Sequence, residues 1–184
     1  IADRVPEVAN VWVSPRRAGP GAKAVNGLYD IDLYVPDADP CACEVQVPPD
    51  EVCERALRIY TRHRNLCEDV RVIRVLSPVR TTVGARVAID DSRAPEAILG
   101  ELLFQAGLFL APEIRREPLR AELAKGRTPG EIFIGPSLRT GFVSDDQLKD
   151  RVTSVSVPEI ARVLARTSGV LGVRDVSIRA ENVG

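Results

Sequence analysis

Residues 156–178 read SVPEIARVLARTSGVLGVRDVSI, and they leave the backbone little freedom. Ser156 suits an N-cap, and Glu159 stands three positions later, at capping-box spacing. Pro158 is tolerated in a first helical turn, where its missing N–H has no intrahelical partner to lose. Val157, Ile160, Ala161 and Leu164 recur at i, i+3, i+4 and i+7, one apolar helix face. Gly169 supplies the left-handed stop, and Val170, Val173, Val176 and Ile178 then read as a strand. The opening stretch 5–13, VPEVANVWV, is a partial echo whose later half suits a strand better than a helix. The chain is thus expected to open on the end of one helix–turn–strand unit and to close on the end of another.

Between these ends, 27–35 (GLYDIDLYV) alternates: Tyr29, Ile31, Leu33 and Val35 face one way, Asp30 and Asp32 the other. The spacing predicts a helix over 50–66, with Val52, Ala56, Ile59, Tyr60 and His63 as its buried stripe. A strand follows at 70–76. Residues 81–89 form another, with Thr81, Val83, Ala85, Val87 and Ile89 on one face and a bend at Gly84. The stretch 95–110 predicts a helix apolar nearly all round, which is usually central to a core or covered by another chain. A short helix over 119–125 stops at Gly126. A glycine-punctuated excursion, 126–148, carries Phe133 and Phe142 and ends in a turn that Ser144 and Gln147 would cap. Loops rich in proline fill 14–21 and 36–49. The fold class expected is α+β: two small split-βαβ, ferredoxin-like units with helices packed on mixed or antiparallel sheets. Their expected spans are 1–78, with 1–13 as the end of a preceding unit, and 79–184, with an insertion at 112–150.

Composition removes several function classes. A net charge of −1 gives no global attraction to nucleic acid or to an acidic membrane. No apolar run approaches the roughly 20 residues of a membrane helix. A chain that begins at Ile1 and holds no methionine reads as a segment of a longer polypeptide. Cys41, Cys43, Cys53 and Cys67 have a spacing that matches no common zinc pattern, and they read as reduced thiols. The single histidine, His63, has no evident nucleophile or orienting acid. Asp30 and Asp32 read as a solvated strand face, and Asp90–Asp91 and Asp145–Asp146 as acids at helix starts. No phosphate-binding glycine pattern and no G-x-S-x-G elbow occurs, and aromatics make up only 4%, too few for a base-stacking platform. The expectation is a protein that is not an enzyme and needs neither cofactor nor metal.

Four stretches carry a likeness to a known family: 26–31 (NGLYDI), 65–69 (NLCED), 131–142 (EIFIGPSLRTGF) and 168–173 (SGVLGV). The strand at 81–89 and the helix at 95–110 fall between the second and third. In this order the chain resembles the C-terminal part of baseplate J-like proteins, the wedge subunits of contractile phage tails and of related extracellular injection systems. The resemblance implies a structural role. Such a subunit assembles around a central hub and spike and couples the baseplate to the sheath. It implies as partners other wedge subunits, hub or spike proteins and sheath proteins, in a large hetero-oligomer without nucleic acid or direct membrane contact. Assembly would take place in the cytoplasm, and the product would be a phage tail or tail-like particle. Phe133, Ile134, Leu138 and Phe142 are then expected at a subunit contact, since buried aromatic anchors commonly drive association. The alternative is a ferredoxin-like regulatory domain that binds a small molecule between its units.

Overall fold

The computed structural model describes residues 1–15, 26–36, 47–77, 79–134 and 138–182. In chain order the elements are β1 (Asn10–Pro15), β2 (Leu28–Tyr34), α1 (Pro49–His63), β3 (Asp69–Val75), β4 (Val79–Ile89), α2 (Pro95–Leu110), α3 (Leu119–Ala124), α4 (Pro129–Ile132), a 3-10 turn (Asp145–Gln147), α5 (Val157–Ala165) and β5 (Val170–Asn182). The class is α+β, as expected, with a three-stranded mixed sheet, a two-stranded antiparallel sheet and helices. Cys41 and Cys43, the loop beyond Pro15 and residues 135–137 of the third family-like stretch lie outside the described residues.

The chain forms two compact units, Ile1–Leu76 with Ile114–Lys149, and Ser77–Glu113 with Asp150–Gly184. The excursion expected as an insertion in the second unit therefore packs with the first. Residues 1–13 pack with the first unit, where Val5 and Val8 are buried in its core.

In the first unit β2 lies between β1, antiparallel, and β3, parallel, and α1 carries the chain across between the parallel strands. Ile31 and Leu33 of β2 are fully buried against Val5, Val52 and Ala56. Residues 1–9 are turns, held by bonds such as Val5 N–H to the Ile1 carbonyl at 3.0 Å. His63 is exposed, contrary to the expected stripe, because α1 ends there and the inward face stops at Ile59 and Tyr60. The aspartate face of β2 is not a solvated one either. Parallel pairing sets β3 arginines across from it: Arg74 Nε donates to Asp32 at 2.6 Å, and Arg71 grips both oxygens of Asp30. Asp32 is only 8% exposed.

Two of the family-like stretches meet at one turn of this unit. Gly27 has φ +81°, and a Cβ there would lie 2.1 Å from the carbonyl oxygen of Cys67, itself at φ +64°. Asp69 N–H donates to the Gly27 carbonyl at 2.7 Å. Only a residue without a side chain lets the two backbones approach this closely.

In the second unit β4 and β5 pair antiparallel from Val79↔Asn182 to Ile89↔Val170. Ile98, Leu102 and Ala106 of α2 meet Ile160 and Leu164 of α5 over Val83, Val87, Val173 and Ile178. The alternation read along β4 breaks at Ala85, which is exposed, because the register shifts between Gly84 and Arg86. The α5 cap forms as read: Glu159 accepts the Ser156 N–H at 2.8 Å and its hydroxyl at 2.6 Å. Gly169, at φ +88°, ends that helix against Ile98. The apolar α2 buries one face and leaves Leu99, Leu103 and Phe104 exposed.

Candidate interaction site

The excursion is built on a buried carboxylate. Glu122 of α3 has no exposed surface, yet both its oxygens are satisfied. Oε1 accepts from the Ser144 hydroxyl at 2.8 Å and from Lys125 Nζ at 3.0 Å, and Oε2 accepts from Arg127 Nη1 at 2.6 Å. Hydrogen bonds from Lys125 and then Ser144 outweigh desolvation and hold the carboxyl at about 2, from an ordinary 4.5. Lys125 reaches Glu117 as well, at 2.7 Å, and its ammonium is held above the usual range by that contact first. Gln147 Nε2 donates to Glu117 at 2.9 Å, and Glu117 and Phe142 exchange backbone bonds of 2.8 and 2.9 Å. The network ties α3 to the stretch 142–147.

Ser144 therefore does not cap the turn after it. The 3-10 turn is present, but its expected capping side chains are turned inward to Glu122 and Glu117. Sequence reading also missed α4. Thr128 and Glu131 form a capping box there, with Glu131 Oε2 accepting the Thr128 N–H at 2.8 Å. Their T-x-x-E spacing was the available signal. The burial of Glu122 had no local signal, since LRAELAKGR reads as an ordinary solvated helix end.

On this base lies an open groove of about 670 Å³. Phe133, Ile134, Leu138 and Phe142, the four residues expected at a subunit contact, all line it, together with Leu148 and Ile114. Phe133 and Phe142 meet edge to face, with centroids 5.2 Å apart and planes at 89°. Phe133 is 62% exposed, Ile134 83% and Leu148 61%, so the walls are apolar and still wet. Monomer surfaces seldom cluster large apolar groups in this way without a use for them.

The charges on the groove are unequally occupied. Arg127 is held by Glu122, and Arg116 by the Ala2 carbonyl at 2.8 Å and by Asp3 at 3.7 Å. Asp3 also accepts the Arg139 backbone N–H at 3.1 Å. Glu131 is kept ionised by its bonds to Thr128, backbone first. Glu131 and Asp145 also line the groove; among the described residues neither forms an ion pair, and the Arg127 charge acts on Glu131 from beyond pairing distance.

Elsewhere the chemistry is sparse. Cys53 and Cys67 are free thiols, and burial pushes that of Cys53 upward. Among the described residues no group of three or more His, Cys, Asp or Glu is placed to hold a metal ion, and no helix is long and apolar enough to cross a membrane. No protein-family model matches the sequence, and no curated protein matches it.

Proposed function

We propose that this chain is a structural wedge component of the baseplate of a contractile tail or tail-like injection particle. In that role it assembles around the central hub with other wedge subunits and couples the baseplate to the sheath. It is made in the cytoplasm, joins a large hetero-oligomer and performs no catalysis. The observation that carries the reading is the groove: the third family-like stretch supplies Phe133, Ile134, Leu138 and Phe142 to one open apolar groove, the first two exposed and the last two half-buried. The order of the four family-like stretches supports it. The close contact between Gly27 and Cys67 gives two of those stretches a shared physical reason.

Electron microscopy and gel filtration of material from the native source test the proposal. Sheathed tubes that contain this polypeptide are expected. A small soluble oligomer whose melting temperature rises with a metabolite would overturn it in favour of a regulatory binding domain.

A further inference from the structure

We infer that the groove of the first unit receives a peptide segment of a different protein, one that presents at least two large apolar side chains flanked by lysine or arginine. The inference rests on the assembly reading above and adds the chemistry of the partner.

Two features select this occupant. The first is openness. A small-molecule site typically covers roughly 70–90% of its ligand. Here the walls themselves are more than half exposed at Phe133, Ile134 and Leu148, which suits a segment that runs through the groove and continues past it. The edge-to-face pair of Phe133 and Phe142 offers two ring surfaces set at right angles, a corner for one apolar side chain.

The second feature is charge. Both groove arginines are already engaged, Arg127 by the buried Glu122 and Arg116 by Asp3 and the Ala2 carbonyl. Glu131 and Asp145 line the groove, and among the described residues neither is in an ion pair, Arg127 acting on Glu131 only at longer range. An anionic segment would meet two further carboxylates beside arginines already engaged, whereas a cationic flank would meet two acids that form no ion pair among the described residues. A second copy of this chain would bring the same acidic groove and does not supply that complement by symmetry.

The test uses the full chain and two sets of short labelled peptides with one shared apolar core, flanked by lysines in one set and by glutamates in the other. Fluorescence anisotropy at low salt reads the affinities. The lysine set is expected to bind roughly fivefold to tenfold more tightly, with the gap shrinking as salt rises. Asp145→Lys should narrow that gap, and Phe133→Ala should weaken the lysine set by about thirtyfold. Neither side chain is in the core, and circular dichroism checks that both variants are folded. Equal binding of the two sets, unchanged binding in Phe133→Ala, or no binding by either set up to about 1 mM overturns the inference. Self-association of the unlabelled chain that Phe133→Ala abolishes also overturns it, since the occupant is then a second copy. Sheathed particles that contain the chain, with no preference for cationic peptides, would refute this inference and leave the assembly role standing.

Discussion

Gly27, Gly126 and Gly100 separate three effects that a glycine substitution can have. Gly27 and Gly126 have nearly the same φ, +81° and +82°. An alanine at either position enters the left-handed region at about 1–2 kcal/mol. At Gly126 nothing lies within 4 Å of the added Cβ, so that cost is the whole effect. At Gly27 the methyl would sit 2.1 Å from the Cys67 carbonyl oxygen. The clash is with backbone, so the turn at Cys67 must shift, which opens the Asp69 N–H to Gly27 carbonyl bond of 2.7 Å. That bond adds about 0.5–1.5 kcal/mol, so Gly27→Ala should cost about 1.5–3.5 kcal/mol in all. Gly100 lies inside α2 with open space around its Cβ, and alanine there should stabilise by about 0.5–1 kcal/mol. Urea denaturation followed by circular dichroism gives the three values. In thermal melts, 1 kcal/mol moves a chain of this length by about 2–4 °C. The expected order of stability is Gly100→Ala, wild type, Gly126→Ala, Gly27→Ala. A Gly27→Ala variant no less stable than Gly126→Ala would refute the close backbone contact, and with it the shared reason for two family-like stretches.

Glu122 has its carboxyl pKa depressed, so its contribution to stability is present above pH 4.5 and is lost as pH falls toward 2. Glu122→Gln should flatten that acid limb in pH-dependent unfolding, and an unchanged limb would show that other carboxylates dominate it. Ser156→Ala should cost about 1 kcal/mol through the lost hydroxyl bond to Glu159 at the α5 cap, measured by urea titration. In the same helix Ile160→Ala should cost about 2–5 kcal/mol, because Ile160 is fully buried, while Val157→Ala, at a position 42% exposed, should cost much less. Replacing Phe133 and Phe142 together by Ala should leave the chain folded and reduce particle assembly seen by electron microscopy; assembly at the wild-type level would remove the groove from the subunit contact.

What was legible in the sequence was local. Ser156, Glu159 and Gly169 act within a turn of their own position, and the α5–β5 unit follows from them. The bounds of α2 were equally readable, since Pro95 opens the helix and Pro112 lies just beyond it. What was not legible depended on register and on distant chain. Asp32 looks solvated until β3 is laid parallel beside β2 and brings Arg74 across. Ala85 belongs to the inward face by alternation, and only the shifted pairing with β5 turns it out. Glu122 is buried by Ser144, which follows it by 22 residues, and no spacing within α3 announces that.

The candidate site divides the same way, and the division has a physical meaning. Phe133 and Phe142 were visible as large aromatics in a polar, glycine-rich stretch where a core had no evident use for them. The carboxylate beneath them was not, because satisfied burial leaves no trace in composition. Yet the two layers have distinct tasks. Glu122, Lys125, Arg127 and Ser144 order the backbone on which the rings stand, with every oxygen of the central carboxylate bonded. The Phe133 ring remains largely outside any core and contributes little to folding while it is exposed, whereas Phe142 is half-buried. A groove ordered before its partner arrives spares the complex the entropy of forming it. Substitution in the lower layer should therefore disturb folding and association together, whereas substitution at Phe133 should disturb association alone. That split distinguishes an interaction surface from a loosely packed core.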